Sequence, residues 1–108
     1  MSERKTYNKL VRDRIPEIIG ADGRQCATEI INESEYRQAL LAKLVEEAQE
    51  VTDADTGDMV KELADLYEVI DAVLVAFNLD KDTILAAQKK RREERGSFEK
   101  RIKLLWTD

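Results

Sequence analysis

The sequence contains no histidine among its 108 residues. This absence excludes histidine general bases, Ser-His-Asp triads and imidazole metal ligands. The single cysteine, Cys26, cannot form an internal disulfide or a cysteine-based zinc cluster. We therefore expect a cytoplasmic protein whose chemistry depends on carboxylates and on lysine or arginine cations.

Helix-breaking residues are also scarce, with one proline and four glycines. No apolar run approaches the about 20 residues of a membrane span. The first six residues are polar, so we expect them to be loosely held and not to form the apolar core of a signal peptide. Charged residues make up 38% of the chain and apolar residues 43%. This composition favours long amphipathic helices. We expect an all-α antiparallel helical bundle that forms a single domain over residues 1–108.

The net charge of −5 argues against nucleic acid as the partner. The charge is nevertheless uneven along the chain. Residues 43–71 are acidic, whereas residues 89–92 and 95–103 are basic. This asymmetry suits a ligand that carries both a metal ion and phosphate groups.

Apolar spacing and capping residues predict three long helices. The first spans about residues 34–53, with Ser34 as its N-cap. The second begins near Thr56 or Asp58 and ends near Phe77, followed by Asn78 in the left-handed conformation. The third begins after an Asp80 N-cap and ends before Gly96. Apolar residues cover more than half of the second helix, which indicates a central position or a subunit interface, so we expect a homo-oligomer.

Shorter elements are predicted at both ends of the chain. A short helix opening at Asp13 or Arg14 should end at Gly20. Residues 27–31 alternate weakly and are interpreted as extended. Residues 97–106 are interpreted as a loop followed by a short amphipathic helix.

Two acidic pairs are the main functional signal. Glu47 and Glu50 are three residues apart, as are Glu62 and Asp65, so each pair lies on one face of its helix. The polar stretch 52–58 between them predicts a tight helix–helix turn. In an antiparallel hairpin, the position numbers of two facing residues always add up to the same value. Glu47 with Asp65 and Glu50 with Glu62 add up to one and the same value, so we expect both carboxylate pairs to face each other. Four carboxylates at one level would repel one another without a hard divalent cation.

The simpler interpretation is that these acids decorate solvated helix faces, as most such pairs do. Two pairs placed symmetrically about a turn are harder to explain in this way. Ten acidic residues lie between positions 46 and 71, whereas Lys43 and Lys61 are the nearby cations. The pattern alone leaves the metal site and the solvated face about equally supported.

The sequence also resembles a known superfamily. Glu46-Glu47-x-x-Glu50 followed by Glu62-x-x-Asp65 is similar to the EExxE…ExxD signature of the all-α nucleoside triphosphate pyrophosphohydrolases. Residues 7–19, 62–70 and 94–98 resemble the opening, middle and end of a short MazG-like, phosphoribosyl-ATP pyrophosphohydrolase-like house-cleaning subgroup. The subgroup's usual RGGF turn reads Arg-Gly-Ser-Phe here.

The resemblance implies a fold, an activity and a ligand set. The family hydrolyses nucleoside triphosphates at the α–β bond, giving monophosphate and pyrophosphate, and often forms dimers or tetramers. It implies Mg²⁺, with Mn²⁺ as a substitute, bound by Glu47, Glu50, Glu62 and Asp65, with Glu46 as a helper. Because the chain lacks histidine, the general base would be a carboxylate, Glu47 or Glu50.

Phosphate charge that the metal does not neutralise requires cations. The candidates are basic residues from three parts of the chain: Lys9, Arg12, Arg14, Lys43, Lys90, Arg91 and Arg95. Each set has a simpler interpretation. The first three can pair with Asp13 and Glu17, the last three can complement a helix C-terminus, and Lys43 can neutralise the acids. Tyr67, Phe98 and Trp106 can stack on a base, although burial preferences favour core packing.

Two other functions fit the sequence less well. One is a non-catalytic helical interaction module with an acidic metal- or partner-binding face. The other is a nucleic-acid binder that uses the basic tail, which the net charge and the apparent lack of exposed aromatic residues near that tail disfavour. The base and sugar of the nucleotide are not specified by the sequence.

Overall fold

The computed structural model describes residues 4–108, so half of the stretch expected to be loose, residues 1–3, lies outside the described residues. The described chain is helical, and none of its residues belongs to a β-strand. The helices are α1 (Ile15–Ala21), α2 (Glu33–Asp53), α3 (Met59–Ala76) and α4 (Lys81–Arg95). The all-α prediction is confirmed for this part of the chain.

The chain divides into two compact units, Met1–Phe77 and Asn78–Asp108. The single-domain expectation therefore stays a prediction. The first unit contains α1, α2 and α3; the second, which we call the C-terminal unit, contains α4 and the residues after it. No helix within residues 4–108 combines the length and apolar character needed to cross a membrane.

Helices α2 and α3 form an antiparallel hairpin, which is the centre of the first unit. The turn between them occupies residues 54–58, inside the predicted stretch, and the Asp58 amide donates to Asp55 Oδ1 over 3.0 Å. At the open end, Arg37 Nε donates to the Ala76 carbonyl over 2.9 Å. Leu40 and Val69 are the buried hydrophobic residues of the described chain. So small a core leaves much of the apolar surface of the hairpin uncovered.

Several helix ends lie where the sequence predicts them. Asp80 caps α4 by accepting hydrogen bonds from the Thr83 amide and hydroxyl, at 3.2 and 3.0 Å. Gly96 follows α4 with φ +81°, and Asn78 follows α3 with φ +56°, the left-handed conformation that asparagine tolerates. These ends depend on contacts within a few residues, which explains why the sequence specifies them.

Two capping predictions were wrong. The N-cap of α2 is Asn32, not Ser34, because Asn32 Oδ1 accepts the Glu35 amide hydrogen bond at 2.8 Å. Helix α1 does not end at Gly20, which lies within the helix. It ends at Ala21, and Gly23 adopts φ +77° after it.

Residues 27–31 form neither a helix nor a strand, and Ile30 is almost fully exposed, so their interpretation as extended stays a prediction. The predicted helix near the end of the chain differs from the structure. Residues 97–106 contain a turn but no helix. Arg101 has φ +57°, which a right-handed helix does not accommodate.

Candidate metal site

Three acidic side chains of the hairpin converge on one point. One carboxylate oxygen from each of Glu47, Glu62 and Asp65 lies within 4.8 Å of the other two. Glu47 comes from α2, and the other two come from α3. The sequence register thus brings together three of the four predicted ligands, in an arrangement able to surround one cation.

The cluster contains buried carboxylate oxygens without partners. Glu47 is only 7% exposed. Its Oε2 and the Oε2 of the partly exposed Glu62 are buried and accept no hydrogen bond. Buried acceptors in native proteins nearly always have a partner, so these two oxygens require a chemical explanation.

Burial raises the pKa of the Glu47 carboxyl, and the negative charge of Glu50 raises it further, against the lowering effect of Lys43. Burial likewise raises the pKa of Glu62, and the neighbouring carboxyl of Glu50 and its negative charge raise it further. The fourth predicted ligand, Glu50, therefore lies close enough to act on both carboxyls. Glu50 itself is exposed and stands outside the group of three.

Three cations of the described chain contact the cluster or the neighbouring Glu46. Lys43 on α2 lies 3.9 Å from Glu46 and 3.8 Å from Glu47. Lys9 Nζ lies 3.1 Å from a Glu46 oxygen, and Arg12 Nη2 lies 2.7 Å from Asp65 Oδ1. The sequence predicted that Lys9 and Arg12 bind phosphate or, in the simpler interpretation, pair with Asp13 and Glu17. Neither interpretation included the ion pairs with Glu46 and Asp65. The one feature of the sequence that could have indicated these ion pairs is a group of basic residues before an acidic hairpin.

The remaining predicted phosphate-binding residues make local contacts or belong to the other unit. Arg14 pairs with Glu17 over 3.3 Å, as the simpler interpretation expected. Lys90 lies 3.9 Å from Glu94, one turn along α4. Arg91 and Arg95 are exposed on the same helix. All three α4 residues belong to the C-terminal unit, and their role with phosphate stays a prediction.

The expected core packing of three aromatic residues was wrong. Tyr67, Phe98 and Trp106 are 67%, 96% and 81% exposed. The argument that the basic tail lacks exposed aromatic residues is therefore also wrong, and net charge is what still disfavours nucleic acid. Phe98 and Trp106 lie in the C-terminal unit, where every residue is exposed, and Tyr67 lies on the uncovered face of α3.

One surface depression lies away from the acidic cluster. A pocket of about 570 Å³ opens at the start of α2, where Arg37, Leu41 and Phe77 contribute to its lining. The Arg37 guanidinium lies 5.4 Å from the centre of the Phe77 ring, a cation–π contact that fastens the end of the hairpin. No acidic cluster residue lines this pocket.

Comparison with known proteins gives one partial match. A protein of Mycolicibacterium smegmatis described as uncharacterized is 50% identical over 54 residues, which is 50% of this chain and 55% of that protein. The matched stretch thus spans about half the length of that relative. No protein-family model matches the chain, and no solved structure matches it.

Proposed function

We propose that this protein is a Mg²⁺-dependent nucleoside triphosphate pyrophosphohydrolase of the all-α, MazG-like class. The reaction would add water across the α–β phosphate bond and release a nucleoside monophosphate and pyrophosphate. The observation that carries the proposal is the pair of buried, unpartnered oxygens of Glu47 and Glu62 beside Asp65.

The donor set fits Mg²⁺, with Mn²⁺ as a substitute. Mg²⁺ prefers carboxylate oxygens and retains several waters, so a few carboxylates and the phosphates of a substrate complete its coordination. Glu47, Glu62 and Asp65 would hold the ion, and Glu50 is close enough to contribute. When bound, Mg²⁺ supplies positive charge that offsets the phosphates and acidifies water.

The chain's own residues provide the remaining requirements of phosphoryl transfer, namely positioning and proton transfer. Glu47 or Glu50 would accept the proton of the attacking water. A raised pKa makes the Glu47 carboxylate the stronger base, whereas the exposure of Glu50 gives it access to water. Lys43, together with Lys9 and Arg12, would meet phosphate charge.

We further propose that the protein works as a homo-oligomer in the cytoplasm. Large apolar residues of α3 are uncovered, among them Val60, Tyr67 and Val75, at 79%, 67% and 78% exposure. A second copy would cover such a surface. The free, exposed Cys26 is consistent with a reducing compartment. Light scattering on the purified chain would measure the number of copies.

The decisive experiment is a panel of nucleoside triphosphates that differ in base and sugar, with and without Mg²⁺. Monophosphate and pyrophosphate should appear in equal amounts and only with the metal. The Glu50→Gln variant is the matched control, because it removes one charge without a change in size. Release of inorganic phosphate and a diphosphate would contradict cleavage at the α–β bond.

The same panel separates the proposal from its two rivals. The absence of Mg²⁺-dependent turnover with every nucleotide, in the wild type as in Glu50→Gln, would favour a non-catalytic interaction module with an acidic face. A salt-dependent shift of DNA or RNA in a gel would favour the nucleic-acid binder. The exposed rings of Phe98 and Trp106 and the basic residues of the C-terminal unit make this second assay worthwhile.

A further inference from the structure

The segment before α1 is attached to the acidic hairpin by two charged side chains, one of which contacts the cluster of Glu47, Glu62 and Asp65. We call residues 7–12 the N-terminal segment; no residue in it is helical. Its Lys9 reaches Glu46 and its Arg12 reaches Asp65, across 37 and 53 residues of sequence. No backbone hydrogen bond joins residues 7–11 to another described residue. These side-chain contacts are therefore the main polar attachment of the segment to the hairpin.

Lys9 and Arg12 are more exposed than Lys43, the cation that α2 itself contributes. Lys43 belongs to a rigid helix, and its side chain is 21% exposed. The Lys9 and Arg12 side chains are 53% and 55% exposed. Ion pairs between exposed groups are weak, because water and salt screen them. Lys9 and Arg12 can move away from the hairpin together with the non-helical backbone that carries them, whereas the backbone of Lys43 is held in α2.

Arg12 contacts the carboxylate of Asp65, a residue that a metal ion at the cluster would also use. Asp65 Oδ1 accepts the 2.7 Å contact from the guanidinium, and Asp65 is one of the three converging carboxylates. The buried oxygens of Glu47 and Glu62, in contrast, have no partner. A divalent ion held by those two oxygens would place like charge beside Arg12 and compete for Asp65.

We infer that Lys9 and Arg12 are exchangeable counter-ions of Glu46 and Asp65 on the acidic hairpin, which a divalent cation bound at the cluster displaces so that the N-terminal segment is released. The inference rests on the metal-binding part of the proposed function. Its consequence is an order of binding: metal first, then the phosphates of the nucleotide, which Lys9 and Arg12 become free to contact.

Metal affinity tests the exchange directly. Mn²⁺ binding would be measured by calorimetry at low salt for the wild type, Arg12→Gln and Lys9→Gln. Since an exposed ion pair changes an equilibrium constant by up to about fivefold, Arg12→Gln should bind Mn²⁺ about two- to fivefold more tightly. Lys9→Gln should show a smaller gain, because Glu46 lies outside the converging group. Weaker or unchanged binding by Arg12→Gln would overturn the inference and make Arg12 a residue that orients Asp65.

The matched control is Lys5→Gln. It removes one positive charge two residues before the segment, where Lys5 lies 5.3 Å from the centre of the Tyr7 ring. Its Mn²⁺ affinity should equal that of the wild type. A gain as large as that of Arg12→Gln would show that net charge, and not the Asp65 contact, controls the affinity, and would also overturn the inference.

Trypsin provides a second readout, because the protease must take the lysine or arginine side chain into its own pocket. In calcium-free buffer, Mn²⁺ should accelerate cleavage after Lys9 and Arg12, followed by mass spectrometry. Cleavage after Arg101 in the C-terminal unit serves as the internal reference. Equal or slower cleavage after Arg12 in the presence of Mn²⁺ would show that the segment stays in place.

The outcomes separate this inference from the proposed function. Mn²⁺ binding with segment release, but no nucleotide hydrolysis, would refute the activity and leave the exchange intact. Nucleotide hydrolysis and metal binding, without tighter Mn²⁺ binding by Arg12→Gln, would support the activity and refute the exchange. A wild-type protein that binds no Mn²⁺ would overturn both.

Discussion

The α2–α3 hairpin and the C-terminal unit have opposite properties. Residues 33–76 contain twelve acidic and three basic residues, whereas residues 78–108 contain six acidic and nine basic residues. The hairpin buries Leu40, Val69 and Glu47. Every residue from 78 to 108 is exposed, including apolar side chains such as Leu105 and Trp106.

The difference shows what local and tertiary interactions each contribute. Helix α4 has a capped start, cations in its last turn and a glycine after its end, although it buries no residue. A helix of its length is only marginally stable in water without packing. The hairpin, in contrast, has a buried carboxylate that depends on the approach of a second helix. We therefore expect substitutions in the hairpin to affect the whole first unit and substitutions in the C-terminal unit to act locally.

The largest expected effect comes from the core. Leu40→Ala should lower the free energy of unfolding by about 2–5 kcal/mol, because it removes buried contacts and leaves a cavity. Urea denaturation followed by circular dichroism measures the change. Leu105→Ala is the control and should alter stability by less than about 0.5 kcal/mol. Equal losses of unfolding free energy for Leu40→Ala and Leu105→Ala would contradict the proposed difference between the hairpin and the C-terminal unit.

The next effect concerns the acidic cluster. Glu62→Gln should lower Mg²⁺-dependent pyrophosphate release at least about 100-fold, since changing even an outer partner of a metal ligand costs about 10- to 100-fold. Mn²⁺ calorimetry should show a matching loss of affinity. Glu99→Gln removes an acid from the C-terminal unit and should leave both values unchanged. Normal metal binding by Glu62→Gln would rule out its role as a ligand.

A smaller effect follows from the raised pKa of Glu47. A carboxyl group whose pKa is raised by folding stabilises the folded state only while the group is protonated. For Glu47 this contribution is complete below pH 4.5, the ordinary pKa, and is lost as the pH rises through the raised pKa of the folded state. Glu47→Gln, which cannot ionise, should therefore be more stable than the wild type at pH 7.5 in EDTA, by about 1 kcal/mol. The difference should disappear near pH 4.5.

Thermal unfolding across this pH range measures the Glu47 effect. Glu94→Gln is the comparison, since it removes an exposed partner of Lys90 in the C-terminal unit and should shift the transition little. Added Mg²⁺ should reverse the order at pH 7.5 by stabilising the wild type. A Glu47→Gln variant that is less stable than the wild type in EDTA at pH 7.5 would contradict the prediction.

The smallest effect compares two helix caps of the same type. Asn32→Ala should destabilise the first unit by about 1 kcal/mol, because it leaves the Glu35 amide without its partner. Asp80→Ala removes the equivalent bond to Thr83 but should reduce only the helicity of α4. Backbone chemical shifts report α4, and thermal unfolding reports the first unit. A shift of the main transition by Asp80→Ala would show that the two units unfold together.

Much of the fold was predictable because its signals are local. The helix ends at Asp80, Gly96 and Asn78 depend on side chains or backbone conformations within a few residues. Where two capping residues lie close together, as Asn32 and Ser34 do, the sequence cannot choose between them. The predicted tail helix failed for a related reason, since its apolar spacing has no surface to cover and Arg101 adopts a left-handed conformation.

The sequence predicted which residues form the acidic site, but it did not predict which of their carboxylates are buried. The constant sum of facing positions placed Glu47, Glu62 and Asp65 together, and the structure brings their oxygens within 4.8 Å. The sequence could not show that Glu47 would be buried or that Glu50 would remain exposed at the edge. Burial depends on the neighbouring helix and segment, not on spacing alone.

The sequence by itself determined the helices, their order and the register of the acidic pairs, because these depend on periodicity and on contacts between near neighbours. Only the tertiary structure decided which carboxylate oxygens lack partners and which cations neutralise the others. The contacts of Lys9 with Glu46 and of Arg12 with Asp65 join residues 37 and 53 positions apart. No local pattern specifies such pairs, since they form only after the chain has folded back on itself.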